Sequence, residues 1–103
     1  MAENKVTVVA KCKAKPGMED KVRAELMALV DPTRSEPGCI NYDLHCSGED
    51  KSLFMLYENW KSKQDLDDHL AKPHLQEFIG KAESILAEPV EIVLWEMITK
   101  VQG

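Results

Sequence analysis

Leu53-Phe54-Met55-Leu56-Tyr57-Glu58-Asn59-Trp60 alternates along its length, yet apolar residues stand on both of its sides. Leu53, Met55, Tyr57 and Asn59 share one face, and Phe54, Leu56, Glu58 and Trp60 share the other, as the two-residue period of a strand requires. Such a strand is expected to be covered on both faces. Just before it, Ile40, Tyr42, Leu44 and Cys46 alternate with Asn41, Asp43 and His45. Ser47-Gly48-Glu49-Asp50-Lys51 lies between the two runs as a turn, so the pair reads as an antiparallel hairpin.

Working outward, an earlier period-2 segment places Val6, Val8, Ala10 and Cys12 against Thr7, Val9 and Lys11, and Lys15-Pro16-Gly17 ends it. Val22, Leu26, Leu29 and Val30 then recur at helical spacing. Asp31-Pro32 is expected to disturb that helix, because a residue before proline is biased away from helical geometry. Glu36-Pro37-Gly38 closes the connection to the hairpin. Beyond the hairpin, Ser62-Lys63-Gln64-Asp65 carries a helix-start signature, with Ser62 as cap and Asp65 reaching back. Leu66 and Leu70 turn this short helix inward until Pro73, which suits the first turn of another. Leu75, Phe78, Ile79, Ala82, Ile85 and Leu86 form the stripe of the next helix. Pro89 breaks it, and residues 90–98 read as a final strand.

The order is βαββααβ, which predicts an α+β ferredoxin-like sandwich in a single domain over residues 1–103. Helices cover one face of a four-stranded sheet. A second copy is the simplest cover for the other face, so a homodimer is expected.

The 103 residues are 44% hydrophobic and 30% charged, near the average for a globular chain and unlike a disordered one. Thirteen Lys and Arg against 18 Asp and Glu leave a net charge of −5, so nucleic acid is not an expected partner. No apolar run approaches the ~18 residues of a membrane span, and no signal-peptide pattern opens the chain. A cytoplasmic protein without a membrane partner is expected. Cys12, Cys39 and Cys46 match no zinc spacing and are read as free thiols.

Three histidines are the side chains that titrate near neutral pH unaided. His45 falls on the polar face of its strand and is expected to be solvated. His69 and His74 lie five apart across Pro73, where they either converge at a pocket or cap helix ends. His-x4-His beside Asp65, Asp67 and Asp68 is a weak metal pattern, and no metal is expected. There is no glycine-rich phosphate loop and no G-x-S-x-G elbow, so no cofactor and no serine hydrolase chemistry are expected. Tyr42, Phe54, Tyr57, Trp60, Phe78 and Trp95 either fill the core or line an apolar cavity for a flat aromatic ligand.

Pro37-Gly38-Cys39 leading to Tyr42, then Tyr57-Glu58-Asn59-Trp60, then His69-Leu70 and Lys72-Pro73-His74, resemble the antibiotic biosynthesis monooxygenase (ABM) domain family. The resemblance runs from Val6 to about Met97 and implies a dimeric α/β barrel of ferredoxin-like subunits. Its members include cofactor-free oxygenases of quinols and polyketide phenols, haem-degrading enzymes, and an isomerase of a phosphorylated signal sugar. Haem degraders carry Asn where this chain has Ala10 and a haem-ligating His where it has Ile79, so that activity is not implied. Polyketide oxidisers carry Asn and Tyr where this chain has Leu56 and Leu66, and only Trp60 carries over. Quinol-oxidising members match best around Trp60, His69 and His74.

The leading expectation is a cofactor-independent monooxygenase in which a small quinol or phenol supplies the electrons to O2. His69 or His74 would take the phenolic proton, with His69 preferred, because the helix dipole disfavours a charged His74. His69 is expected at the border of the buried face of its helix, one nitrogen near water. Tyr42, Tyr57, Glu58, Asn59 and Trp60 are the expected substrate-binding residues, Tyr57 and Trp60 as walls and Glu58 or Asn59 as orienting groups. The alternatives are an isomerase of a small phosphorylated sugar, with Arg34, Lys63 and Lys72 as scattered phosphate ligands, and a non-enzymatic or stress-related ligand-binding barrel.

Overall fold

A computed structural model describes residues 5–99. Strands β1 (Val6–Lys13), β2 (Cys39–Cys46), β3 (Leu53–Trp60) and β4 (Glu91–Trp95) form one antiparallel sheet in the order β2-β3-β1-β4. Helices α1 (Glu19–Arg34), α2 (Lys63–Leu70) and α3 (Pro73–Ile85) fall between them in the ferredoxin-like order βαββααβ. The register sets Val8 opposite Glu58, Ala10 opposite Leu56 and Cys12 opposite Phe54. These side chains share the helix-covered face. Val8, Ala10, Cys12, Phe54, Leu56 and Trp60 pack there with Val22, Leu26 and Leu29 of α1, Leu66 of α2, and Leu75 and Phe78 of α3. The opposite face presents Val9, Met55, Tyr57, Val93 and Trp95 without a covering layer among the described residues. Among the described residues no helix is long and apolar enough to cross a membrane.

Helix α1 is not interrupted at Asp31-Pro32, where a disturbance is expected; it runs through Pro32 to Arg34. Pro32 removes one backbone donor, but the surrounding structure holds the last turn in place. Ser35 N–H donates to Asp31 O, Thr33 is fully buried, and Arg34 donates to the Tyr42 carbonyl and to Asp43. Ile40 also departs from its expected face. A register irregularity between Cys39 and Asn41 turns it outward, as an extra residue in one strand does. Strand β4 ends at Trp95 rather than at residue 98, because Thr7 opposite Trp95 is the last β1 partner in the ladder. Ser62 caps α2 as expected by accepting from Asp65 N–H, while the Asp65 carboxylate accepts from the Ser62 hydroxyl.

Gly38 governs how closely α2 approaches the turn after α1. A Cβ at Gly38 would stand 2.3 Å from Asp65 Cβ and 2.2 Å from Asp65 Cγ. Those atoms sit at the root of the side chain and move only with the helix backbone. Gly38→Ala is therefore expected to push α2 away from residues 36–38 and to destabilise the protein by about 1–3 kcal/mol, the usual range for overpacking. Urea denaturation checks this, and an unchanged midpoint would contradict it.

Candidate active site

That close approach brings the turn after α1 against the two histidines. Glu36 is buried, and its Oε2 accepts from His69 Nδ1 at 2.8 Å and from His74 Nε2 at 2.9 Å. One carboxylate oxygen has two lone pairs, so two neutral imidazoles satisfy it if each donates from the named nitrogen. That assigns the Nδ1–H tautomer to His69 and leaves a lone pair on its Nε2. Among the described residues Nε2 has no hydrogen-bond partner.

The His69 side chain lines a cavity of about 80 Å3 between the sheet and the helices. Val8, Ala10 and Cys12 form its floor, and Leu26, Leu66 and Phe78 form much of its roof. Ile79 and Ile92, each about half exposed, stand at the mouth. Tyr42, Glu58 and His69 are the polar-tipped side chains in an otherwise apolar lining. Trp60 buttresses two of these groups. Its Nε1–H donates to Glu58 Oε1 at 2.9 Å, and its ring lies 4.4 Å from the His69 ring, centroid to centroid. Tyr42 meets the His69 ring edge-on at 5.6 Å.

Burial controls the electrostatics. Desolvation lowers the pKa of His69 from its ordinary value, opposed by the Glu36 hydrogen bond and charge, so its free-base form is the one present at neutral pH. Position in the last turn of α2 and contact with Glu36 both favour the imidazolium that forms once a proton is taken. Desolvation pushes Glu58 up to about 7, against the lowering effect of the Trp60 hydrogen bond. It raises Tyr42 and Cys12 as well, Cys12 to about 11, so neither is an anion near neutral pH.

The raised Glu58 has a consequence for stability. Its carboxyl binds a proton more tightly folded than unfolded, so stability declines as pH rises from about 4.5 to about 7 and levels off above that. Glu58→Gln keeps an acceptor for Trp60 and removes the charge. Thermal melts are expected to show the variant more stable than wild type at pH 8, with the difference gone at pH 4. A variant destabilised equally at both values would contradict this.

Of the residues expected to bind substrate, Tyr42 and Glu58 line the cavity and Trp60 lies directly behind it. Tyr57 and Asn59 do not join them. Alternation along β3 sends both to the uncovered face, where Asn59 accepts from the Thr7 hydroxyl and donates to Asn41. His69 is 2% exposed, deeper than a helix-border position, because Trp60, Tyr42 and the Glu36 turn close around it. His45 is exposed. The scattered basic residues form no shared patch: Arg34 pairs with Asp43, Lys63 pairs with Asp67, and Lys72 precedes α3. Glu36 escaped the sequence reading as a turn residue. Its one local signal is a carboxylate placed directly before Pro37-Gly38, where a buried loop acid finds a partner only through the tertiary fold.

Comparison with known proteins gives the family and the fold. The sequence profile described as antibiotic biosynthesis monooxygenase matches residues 5–81. The chain belongs to the ABM family. Rv0793 of Mycobacterium tuberculosis, which carries a provisional monooxygenase name, is 34% identical over 86% of this chain and 87% of its own. Its solved structure superposes with a TM-score of 0.90. The Synechocystis protein sll1783 is 31% identical over 93% of this chain, which spans 65% of that relative's length. PA3566 of Pseudomonas aeruginosa superposes with a TM-score of 0.91 at 32% identity, covering 96% of this chain and 99% of that one. The resemblance read from residues 37–42, 57–60 and 69–74 is thus an ABM relationship that extends over most of the chain.

Proposed function

We propose that this ABM protein is a cofactor-independent monooxygenase of a small quinol or phenol, with His69 as general base. The observation that carries the reading is the Glu36–His69 contact, which engages Nδ1 and leaves the Nε2 lone pair to a side chain that lines an apolar cavity. A base aligned by a carboxylate and surrounded by hydrocarbon takes a phenolic proton and holds it as an ion pair with Glu36. The phenolate is then the electron donor. It passes one electron to O2, the two radicals join in a new C–O bond, and the peroxide takes up the proton held on His69. Loss of water from this hydroperoxide leaves a hydroxylated quinone. Quinol plus O2 thus becomes hydroxyquinone plus water, with every electron drawn from the substrate. Glu58, poised near neutrality beside the same cavity, donates a hydrogen bond to the developing oxygen anion in its protonated form.

Oxygen uptake with a panel of quinols tests the reaction. The expected result is one O2 consumed per quinol and a product that has gained one oxygen and lost two hydrogens. Simple quinone with an equivalent of hydrogen peroxide, or no uptake with any quinol, would overturn the reading.

We also propose a cytoplasmic homodimer. Three thiols without disulfide partners suit a reducing compartment. The uncovered sheet face exposes Tyr57, Val93 and Trp95, apolar surface that a second copy would bury. Trp95, 59% exposed in the single chain, is the expected anchor. Sedimentation is expected to show a dimer at micromolar concentration. Trp95→Asp is expected to weaken it by about 30-fold, from the ~2 kcal/mol of an interface hot spot. A wild-type monomer would contradict the assignment.

A further inference from the structure

We propose that Glu36 Oε2, His69 Nδ1 and His74 Nε2 bind a single Zn2+ ion, and that the ion turns the remaining ring nitrogen of His69, Nε2, from an acceptor into a donor. The three ligand atoms come from three elements: the turn after α1, the last turn of α2 and the first turn of α3. They lie within 4.8 Å of one another, with both nitrogens already within 2.9 Å of the carboxylate oxygen. Ligands about 2.0–2.1 Å from a zinc ion stand roughly 3.0–3.4 Å apart at open angles, so the two nitrogen–oxygen edges need to widen by a few tenths of an ångström and the nitrogen–nitrogen edge, within 4.8 Å, must come into the same range. His74 can supply that adjustment, since its side chain is partly exposed while those of Glu36 and His69 are buried.

The donor set selects the class of ion. Two imidazole nitrogens and one carboxylate oxygen suit zinc, and three protein ligands leave a fourth position for water. Calcium and magnesium prefer shells of six or more oxygens, which this site does not offer. The chain's other thiols and acids are not needed for the site.

Occupancy has a defined effect on protons. In the hydrogen-bonded state His69 carries its proton on Nδ1 and His74 carries its own on Nε2. Zinc takes both of those nitrogens, so each neutral imidazole keeps one proton but moves it to the other nitrogen. His69 Nε2 then bears a hydrogen and has no lone pair to accept a phenolic proton. Zinc is therefore expected to suppress oxygen uptake. This inhibitory consequence rests on the oxygenase reading, whereas the metal site does not.

The test uses tag-free full-length protein, calorimetric titration with Zn2+, and nitrogen-15 spectra of labelled histidine. The expected result is one equivalent bound at micromolar concentration or tighter, with excess Mg2+ failing to compete. The His69 Nε2 signal is expected to change from unprotonated to protonated. His74→Ala, at a partly exposed position, is expected to weaken binding by about 100-fold. Absence of binding in the wild type, or binding unchanged in both His74→Ala and Glu36→Gln, would overturn the proposal. Zinc binding with the tautomer change, in a protein that oxidises no quinol, would leave the metal site standing and remove the oxygenase reading.

Discussion

His69→Ala is expected to lower quinol-dependent oxygen uptake by about 100- to 10,000-fold, the range supplied by a positioned general base. The loss should fall on kcat, because the apolar walls that hold the ring are unchanged. Glu36→Gln is expected to fall between wild type and His69→Ala, since it keeps a hydrogen-bond acceptor for Nδ1 but removes the charge that stabilises the imidazolium. The pH profile gives an independent check. Burial lowers the pKa of His69, so activity should persist below the ordinary histidine range as pH falls and drop only at more acidic values. Wild-type rates in a folded His69→Ala variant would remove the assignment.

Trp60→Ala is expected to produce the largest stability loss, about 3–5 kcal/mol, as for other buried aromatic truncations. Trp60 is fully buried and supports the site twice, through the Glu58 hydrogen bond and the stack on His69. Its removal leaves a cavity and a buried carboxyl without its donor. For a domain whose total stability is about 5–15 kcal/mol, such a loss lowers the melting temperature by roughly 10–30 °C. Trp60→Phe keeps most of the packing and should cost much less. Losing the indole donor should also raise the Glu58 pKa further, because that hydrogen bond holds it down. A melting temperature for Trp60→Ala within a few degrees of wild type would contradict this role.

The same residues show what the chain's pattern reveals and what it conceals. Alternation in residues 53–60 and 6–12 assigned side chains to sheet faces correctly, because a two-residue period leaves no other choice. The same rule separates Glu58 and Trp60 from Tyr57 and Asn59. Tyr57 and Trp60, expected as walls, and Glu58 or Asn59, expected as orienting groups, are adjacent in the ABM-like segment, but adjacent strand residues point to opposite faces. The disturbance expected at Asp31-Pro32 does not break the helix, because local propensity is overridden where tertiary contacts hold the last turn. Ile40 left its face because a register shift is a property of two strands together, invisible in either one alone. His69 and His74 were legible as a pair across Pro73. Their partner Glu36 was not, for 33 residues separate it from His69 and only the Gly38–Asp65 approach joins them.

On the proposed reading His69, aligned by Glu36, removes a proton from a phenol held in the cavity. The most direct measurement observes that proton without oxygen chemistry, by anaerobic absorption spectra of a bound chromogenic phenol. The account predicts that the wild-type protein binds the phenolate and lowers the ligand's apparent pKa. In His69→Ala the ligand should bind as the neutral phenol. A ligand that stays neutral on the wild-type protein, or is ionised equally by both, would contradict it.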